Sequence, residues 1–161
     1  MNVAATRPRA ASRPAPKHRL RLWLRLLRAT RAMEAELREL LRVQFATTLP
    51  QFDVMAALAR NSDGMTMTEL SRLLIVSNGN VTGIIDRLVA SDLVARLPAP
   101  HDRRSLVVRL TPKGEAHFAN CARAHQDWVD KMLSDFDAAE AEAMIRRFDG
   151  LPARIRNAAN P

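Results

Sequence analysis

Residues 66–110 read TMTELSRLLIVSNGNVTGIIDRLVASDLVARLPAPHDRRSLVVRL, and the apolar period changes twice within them. Thr66 and Glu69 have the capping-box spacing, in which hydroxyl and carboxylate each take an orphan backbone N–H at a helix start. This predicts a short helix ending near Leu74. Ser77 can cap a second helix, in which Val81, Ile84, Ile85, Leu88 and Val89 recur at i, i+3, i+4, i+7 and i+8 as one stripe expected to be buried. At 100° per residue the opposite side carries Gly79, Asn80, Thr82, Gly83, Asp86 and Arg87, a polar and lean face. Leu93 to Leu97 and Leu106 to Leu110 are β-rich runs flanking a basic tip, PAPHDRRS at 98–105, so they read as a two-stranded hairpin with Leu106, Val108 and Leu110 facing the core.

Upstream, Trp23, Leu26, Leu27, Met33, Leu37, Leu40 and Leu41 follow helical spacing and predict a long helix over about 18–44. Pro50 suits the first turn of the next helix, whose face is Phe52, Met55, Leu58 and Ala59 and whose end is the Asn61, Asp63, Gly64 breaker. Downstream, Thr111 and Pro112 are a cap with proline at the first helical position, opening a helix that carries Phe118, Cys121, His125, Trp128 and Met132. Asp137 and Glu140 mark another helix start, and Gly150 with Pro152 should bend or stop that helix. The expected order is ααααββαα, with or without a short strand before the hairpin. The fold class is mainly α with a small β-hairpin.

The chain has 161 residues, 47% hydrophobic and 26% charged, with a formal net charge of +8. That is globular material sufficient for one domain. Residues 1–33 hold nine bases and no acid; residues 34–65 net −2, 66–114 net +3 and 115–161 net −2. A basic middle and a basic start suggest a polyanionic partner, since Lys and Arg gain by displacing counterions from phosphates. Residues 1–17, with Pro8, Pro14 and Pro16 among Ala, Arg and Ser, lack apolar periodicity and read as a flexible basic tail. The same acid-free start has the composition of a mitochondrial transit segment, but the apolar positions from Trp23 to Leu41 are needed by the domain. No apolar run approaches the roughly 18 residues of a membrane-spanning helix, which excludes a membrane span. The single Cys121 makes no internal disulfide and fits a reducing compartment, with the cytoplasm as default.

Two short helices joined tightly, the second with a polar outward face, followed by a basic hairpin, form a winged helix-turn-helix. The second helix would enter a major groove, where base edges are distinguishable, while the wing reaches phosphates or the minor groove. Asn78, Asn80, Thr82 and Arg87 offer the donors and acceptors, with Ser77, Thr66 and Thr68 at the two helix starts and Arg103 and Arg104 at the wing tip. Gly79 and Gly83 weaken a helix by roughly 1 kcal/mol each but let backbone approach DNA closely. Asp86 is a poor neighbour for phosphate and should pair with an arginine, either Arg87 or one from elsewhere, or point off the groove.

At this point the sequence resembles the MarR family of bacterial transcriptional regulators, over nearly all of residues 18–150. The carrying segments are LPQFDVMAAL (49–58), MTELSRLLIVSNGNVTGIIDRLVASDLVAR (67–96) and above all HDRRSLVVRLTPKGE (101–115), with its Asp-x-Arg and Leu-Thr-x-x-Gly. The resemblance implies that Asp102 orients Arg104 and that Arg104 enters the minor groove, which an A·T-rich groove favours on electrostatic grounds as well. It also implies a homodimer made by the terminal helices, giving segments 1–17 (tail), 18–47 (dimerisation), 48–114 (DNA binding) and 115–161 (dimerisation). Such a dimer reads double-stranded DNA as an inverted repeat with half-sites about one turn apart.

The resemblance further implies an effector pocket, for which Trp23, Leu27, Arg28, Phe45, Phe52, Met55, His125 and Trp128 are candidate walls. RLWLRLL, FATTLPQFDVMAAL and VSNGNVTGIIDRL are most similar to the branch that represses aromatic-acid catabolism, so the expected effector is a small aromatic acid or its CoA thioester. The alternative is a constitutive or architectural winged-helix protein without an effector. His117, Cys121 and His125 fall at i, i+4 and i+8, but the outer pair is about 12 Å apart along the axis, so one zinc takes at most two and core packing is the expected role. Cys121 does not match the N-terminal position of the family's peroxide-sensing cysteines. No GxSxG, P-loop, GxGxxG or HExxH is present, so neither catalytic residues nor a cofactor nor a metal is expected.

Overall fold

The capping signals set where helices begin. The Thr66 hydroxyl accepts from Glu69 N–H at 3.3 Å while Glu69 Oε2 accepts from Thr66 N–H at 2.7 Å, closing the predicted capping box. Asp137 and Glu140 close another. A third, Thr48 with Gln51, opens the helix that Pro50 marks. The computed structural model describes the backbone of residues 16–74, 78–99 and 102–159, and the side chains of 16–74, 80–98 and 106–157. Its elements are α1 (Pro16–Phe45), α2 (Leu49–Ala59), α3 (Met67–Leu74), α4 (Asn78–Ala90), β1 (Val94–Ala99), β2 (Asp102–Leu110), α5 (Pro112–Met132), α6 (Ala138–Asp149) and α7 (Leu151–Ala159). The mainly helical architecture with one antiparallel hairpin is as expected, and α7 is added to it. Pro152 falls in the first turn of α7, where a missing N–H is harmless, so Gly150 and Pro152 end one helix and start another.

The chain divides into two compact units, up to Glu36 and from Leu37 onward. In the first, the described part of α1 is exposed except for half-buried Leu26, Leu27 and Met33. The second holds two hydrophobic clusters. Val54, Met55 and Leu58 of α2, Leu70 of α3, Val81, Ile85 and Leu88 of α4, and Val94 and Val108 of the hairpin form the larger. Leu41, Phe52 and Cys121 form the smaller, with Phe45, Phe118 and Trp128 packed against them. Each fully buried aliphatic side chain contributes roughly 1.5–3 kcal/mol. Of the predicted α4 stripe Val81, Ile85 and Leu88 are buried, Ile84 is half-buried, and Val89 at the C-terminal end is 37% exposed.

In the hairpin Val94 pairs with Leu110 and Pro98 with Leu106, with an irregularity between Pro98 and Ala99. The strands run further into the tip than the apolar pattern reaches. One inward-facing assignment is corrected: Leu106 is 54% exposed, whereas Val107 and Val108 are both buried. Met65 adds a third, single-residue bridge, exchanging hydrogen bonds with Val108 at 3.0 and 2.8 Å. Gly64, at φ +88°, lies against Val107, and a Cβ there would meet Arg109 Cγ at 2.6 Å and Val108 O at 2.9 Å. The turn at Gly64 therefore covers the β2 face that simple alternation assigns to solvent.

Between α4 and α5 three consecutive carbonyls are each taken by a residue of the second segment. Lys113 Nζ donates to Ser91 O at 2.8 Å, Thr111 Oγ1 to Asp92 O at 2.8 Å, and Thr111 N–H to Leu93 O at 3.1 Å. Thr111 also caps α5, accepting from Gly114 N–H at 2.9 Å. Gly114 is buried directly against Leu93, where a Cβ would lie 1.9 Å from the Leu93 carbonyl oxygen. The Leu-Thr-x-x-Gly pattern is thus a packing requirement, with threonine as clamp and glycine as clearance. Gly114→Ala is expected to force backbone apart and lower stability by about 3 kcal/mol, a fall in Tm of roughly 6–12 °C measured by thermal denaturation.

Candidate nucleic-acid interface

Helix α4 turns Val81, Ile85 and Leu88 inward, which fixes what its other face can present. Asn80, Thr82, Gly83, Asp86 and Arg87 are all exposed. Nothing lies within 4 Å of where a Gly83 Cβ would be, so no internal contact requires glycine there. Asp86 pairs with Arg96 of β1, Nη2 to Oδ1 at 2.6 Å. Of the partners left open by the sequence, it is therefore one from elsewhere: the wing strand supplies it, and the carboxylate is neutralised beside the lean face. With side chains 35% and 56% exposed, this bridge is worth about 0–1 kcal/mol; its consequence is orientation of the wing base on α4.

Thr68 is exposed at the start of α3, whereas the Thr66 hydroxyl both donates to and accepts from Glu69 within the capping box. The Thr66 N–H and hydroxyl hold the Glu69 carboxyl below the usual carboxylate range. Ser77 lies outside the described residues, as do the side chains of Asn78, Asp102, Arg103 and Arg104. Backbone places Asn78 at the first position of α4 and Asp102 to Arg104 at the start of β2, at the hairpin tip.

The residues considered for an effector fall in different places. Met55 is fully buried in the larger cluster and Phe52 nearly so in the smaller. His125 stacks on Phe52 at 4.8 Å between ring centroids, and Trp128 lies tilted on Phe45 at 6.1 Å. Trp23, Leu27 and Arg28 belong to the first unit. A cavity of about 260 Å³ lies instead beside Phe45, Thr47, Gln51, Ser91, Lys113 and His117. Sequence reasoning missed Lys113 and took His117 only as a metal candidate, because these walls come from three distant segments. Thr47 Oγ1 donates to Phe45 O at 3.0 Å and lies 2.8 Å from His117 Nε2, so it accepts a proton that Nε2 carries. Cys121 Sγ is 3.5 Å from the same nitrogen, and burial pushes its thiol pKa up. A buried, protonated thiol is a poor nucleophile. Among the described residues no His, Cys, Asp and Glu group could hold a metal ion, and no helix is long and apolar enough to cross a membrane.

A model of the MarR family matches residues 47–105, which span the helix pair and most of the hairpin. The chain is 34% identical to the multiple antibiotic resistance protein MarR of Salmonella typhimurium over 105 residues, 62% of this chain and 72% of that one. It belongs to the MarR family. It is accordingly a DNA-binding transcriptional regulator with a winged helix, and its relatives are regulators rather than enzymes. A cysteine-to-serine variant of E. coli MarR, solved in complex with operator DNA, superimposes with a TM-score of 0.67 at 25% identity, covering 92% of this chain and all of that one. CouR from Rhodococcus jostii RHA1, bound to p-coumaroyl-CoA, shares the fold at a TM-score of 0.72 and 15% identity, covering 81% of this chain and 90% of that one.

Burial holds the pKa of His117 and of His125 below the ordinary value; Lys113 adds to the first effect and Asp53 opposes the second. The fold prefers both rings neutral, so the unfolded chain binds more protons at mildly acid pH. Their contribution is complete above the ordinary histidine pKa of about 6.5 and is lost as pH falls from there through the folded values. Tm measured from pH 7.5 to 5 should fall with acidity, and His117→Gln with His125→Gln should flatten that slope.

Proposed function

We propose that this MarR-family member is a homodimeric repressor that is released from an inverted-repeat operator by a small aromatic acid or its CoA thioester. The observation that carries the DNA-reading half is the exposed polar face of α4 with an unobstructed Gly83, joined to the wing by Asp86 and Arg96. Asn80, Thr82 and Arg87 would read the major groove, with Ser77, Asn78, Thr66 and Thr68 at the helix starts and Asp102, Arg103 and Arg104 at the wing. Since the Thr66 hydroxyl is engaged by its cap, Thr68 is the better phosphate donor of the two.

Dimerisation through the terminal segments is supported by apolar side chains that α6 and α7 leave exposed: Met144, Ile145, Phe148, Leu151 and Ile155. Phe136, Met144, Ile145 and Phe148 line an open groove there of about 830 Å³. A second copy covering that face would bury area that otherwise stays in water.

The effector reading rests on the cavity between Ser91 and His117. About 260 Å³ accommodates one aromatic ring and a carboxylate, with the Lys113 ammonium and the His117 ring as polar partners. A CoA thioester would place its acyl part there and leave the nucleotide outside. CouR, bound to p-coumaroyl-CoA, is an example of this fold holding an aryl thioester. Because Lys113 also holds the Ser91 carbonyl just beyond α4, a carboxylate that draws Lys113 away would loosen the junction between recognition helix and α5. Release then follows from the ligand's higher affinity for the loosened geometry.

The test is binding to the chain's own upstream DNA at two salt concentrations, with p-coumarate and p-coumaroyl-CoA as candidate effectors. Salt-sensitive binding, lost in Arg104→Ala and weakened by one candidate, is expected. Binding that no candidate shifts would favour the constitutive reading, and salt-independent or absent binding would contradict DNA recognition by the wing. Gly83→Ala separates stability from recognition: it should raise helix stability by up to about 1 kcal/mol while weakening operator binding, because a methyl then stands between backbone and groove.

A further inference from the structure

The N-terminal half of α1 carries charge that the winged helix does not account for. Lys17, Arg21, Arg25, Arg28 and Arg31 recur at intervals of three or four residues, which places them within an arc of about 120° on one helix face. All five are exposed, and none has an ion-pair partner among the described residues. Further along the chain, among the described residues, three arginines pair with nearby acids, Arg42 with Glu39, Arg96 with Asp86 and Arg146 with Glu142, while others such as Arg38, Arg60 and Arg87 stand singly and form no run of this kind. Here no acid precedes Glu34 anywhere in the sequence. Like charges at such spacing repel one another, and the first turn of α1 contains no acid to offset its positive macrodipole. A helix built this way is disfavoured by itself and gains when a polyanion lies along it.

We propose that this face is a second DNA contact, which tracks the sugar-phosphate backbone and is distinct from the recognition helix and wing. From Lys17 to Arg31 the axial reach is about 21 Å, comparable with roughly six phosphates of one strand at about 3.4 Å each. DNA is favoured over an anionic membrane because the chain already belongs to a DNA-binding family, so the cations face a partner that the protein meets in any case. The contact adds affinity and salt dependence without sequence preference, since phosphates carry no base information.

The test compares the full-length protein with the triple variant Arg21→Gln, Arg25→Gln, Arg28→Gln on an operator duplex and on an unrelated duplex of equal length, titrated from 50 to 200 mM salt. The slope of log affinity against log salt should become shallower by about 2–3, and affinity should drop about tenfold or more on both duplexes, leaving their ratio unchanged. The triple Arg→Lys variant should retain the wild-type slope, which controls for damage to α1, and both variants should keep the wild-type molecular mass in solution. An unchanged slope in the Gln variant overturns the proposal. So does an unchanged slope accompanied by lost effector response, which would return Arg28 to ligand binding, or by lost binding to phosphatidylserine vesicles, which would assign the face to membranes. If the wild-type protein binds neither duplex, the DNA-reading function fails as well, an outcome distinct from a shared slope.

Discussion

The clamp between residues 91–93 and 111–114 is the constraint on which the rest of the domain depends. Three successive carbonyls just past the recognition helix are taken by two residues at the start of α5, and Gly114 leaves the clearance that lets the backbones meet. Gly114 is buried against the Leu93 carbonyl, which the Thr111 N–H pairs, so the two backbones meet without leaving that oxygen unpaired. The clamp holds the end of α4, the root of β1 and the first turn of α5 together. The cavity with Ser91, Lys113 and His117 in its wall is at the same junction.

Around that junction, electrostatics divides the labour. Asp86 would repel phosphate if left alone; bridged to Arg96, it joins helix to wing. Glu69 is drawn into the start of α3 by Thr66. What remains outward on α4 is short, polar or absent at Gly83, a surface able to come close to a groove without steric penalty. Much of the remaining positive charge belongs to other segments, the sequence of the hairpin tip and the start of α1.

Much of this was legible in the sequence because local rules dominate at helix ends and along stripes. Thr66 with Glu69, Asp137 with Glu140, and Thr111 with Pro112 announce their helices, and Val81, Ile85 and Leu88 announce the buried face of α4. The family likeness rested on the same segments, and the wing motif has a physical reading once Thr111 and Gly114 are seen as clamp and clearance. What was not legible depended on distant chain. Val107 is buried and Leu106 exposed because the turn at Gly64 lies over β2, which strand alternation cannot reveal. The partner of Asp86 is ten residues away on another element. The cavity beside Lys113 and His117 has walls that only the tertiary fold brings together; of the residues expected around an effector Phe45 lines it, while Phe52 and His125 stack on each other. Gly150 and Pro152 end α6 as their residue types imply, but that Pro152 also opens a further helix depends on the chain beyond it.

The central claim is that α4 occupies a major groove while the wing reaches an adjoining minor groove. Dimethyl sulfate probing of the protein–operator complex tests it most directly, because the reagent reports guanine N7 in the major groove and adenine N3 in the minor groove separately. The account predicts N7 protection in two short patches about one turn apart, one in each half-site, and N3 protection immediately outside each, the latter vanishing in Arg104→Ala. Uniform reactivity at N7 beneath a bound protein would contradict insertion of α4 and with it the account.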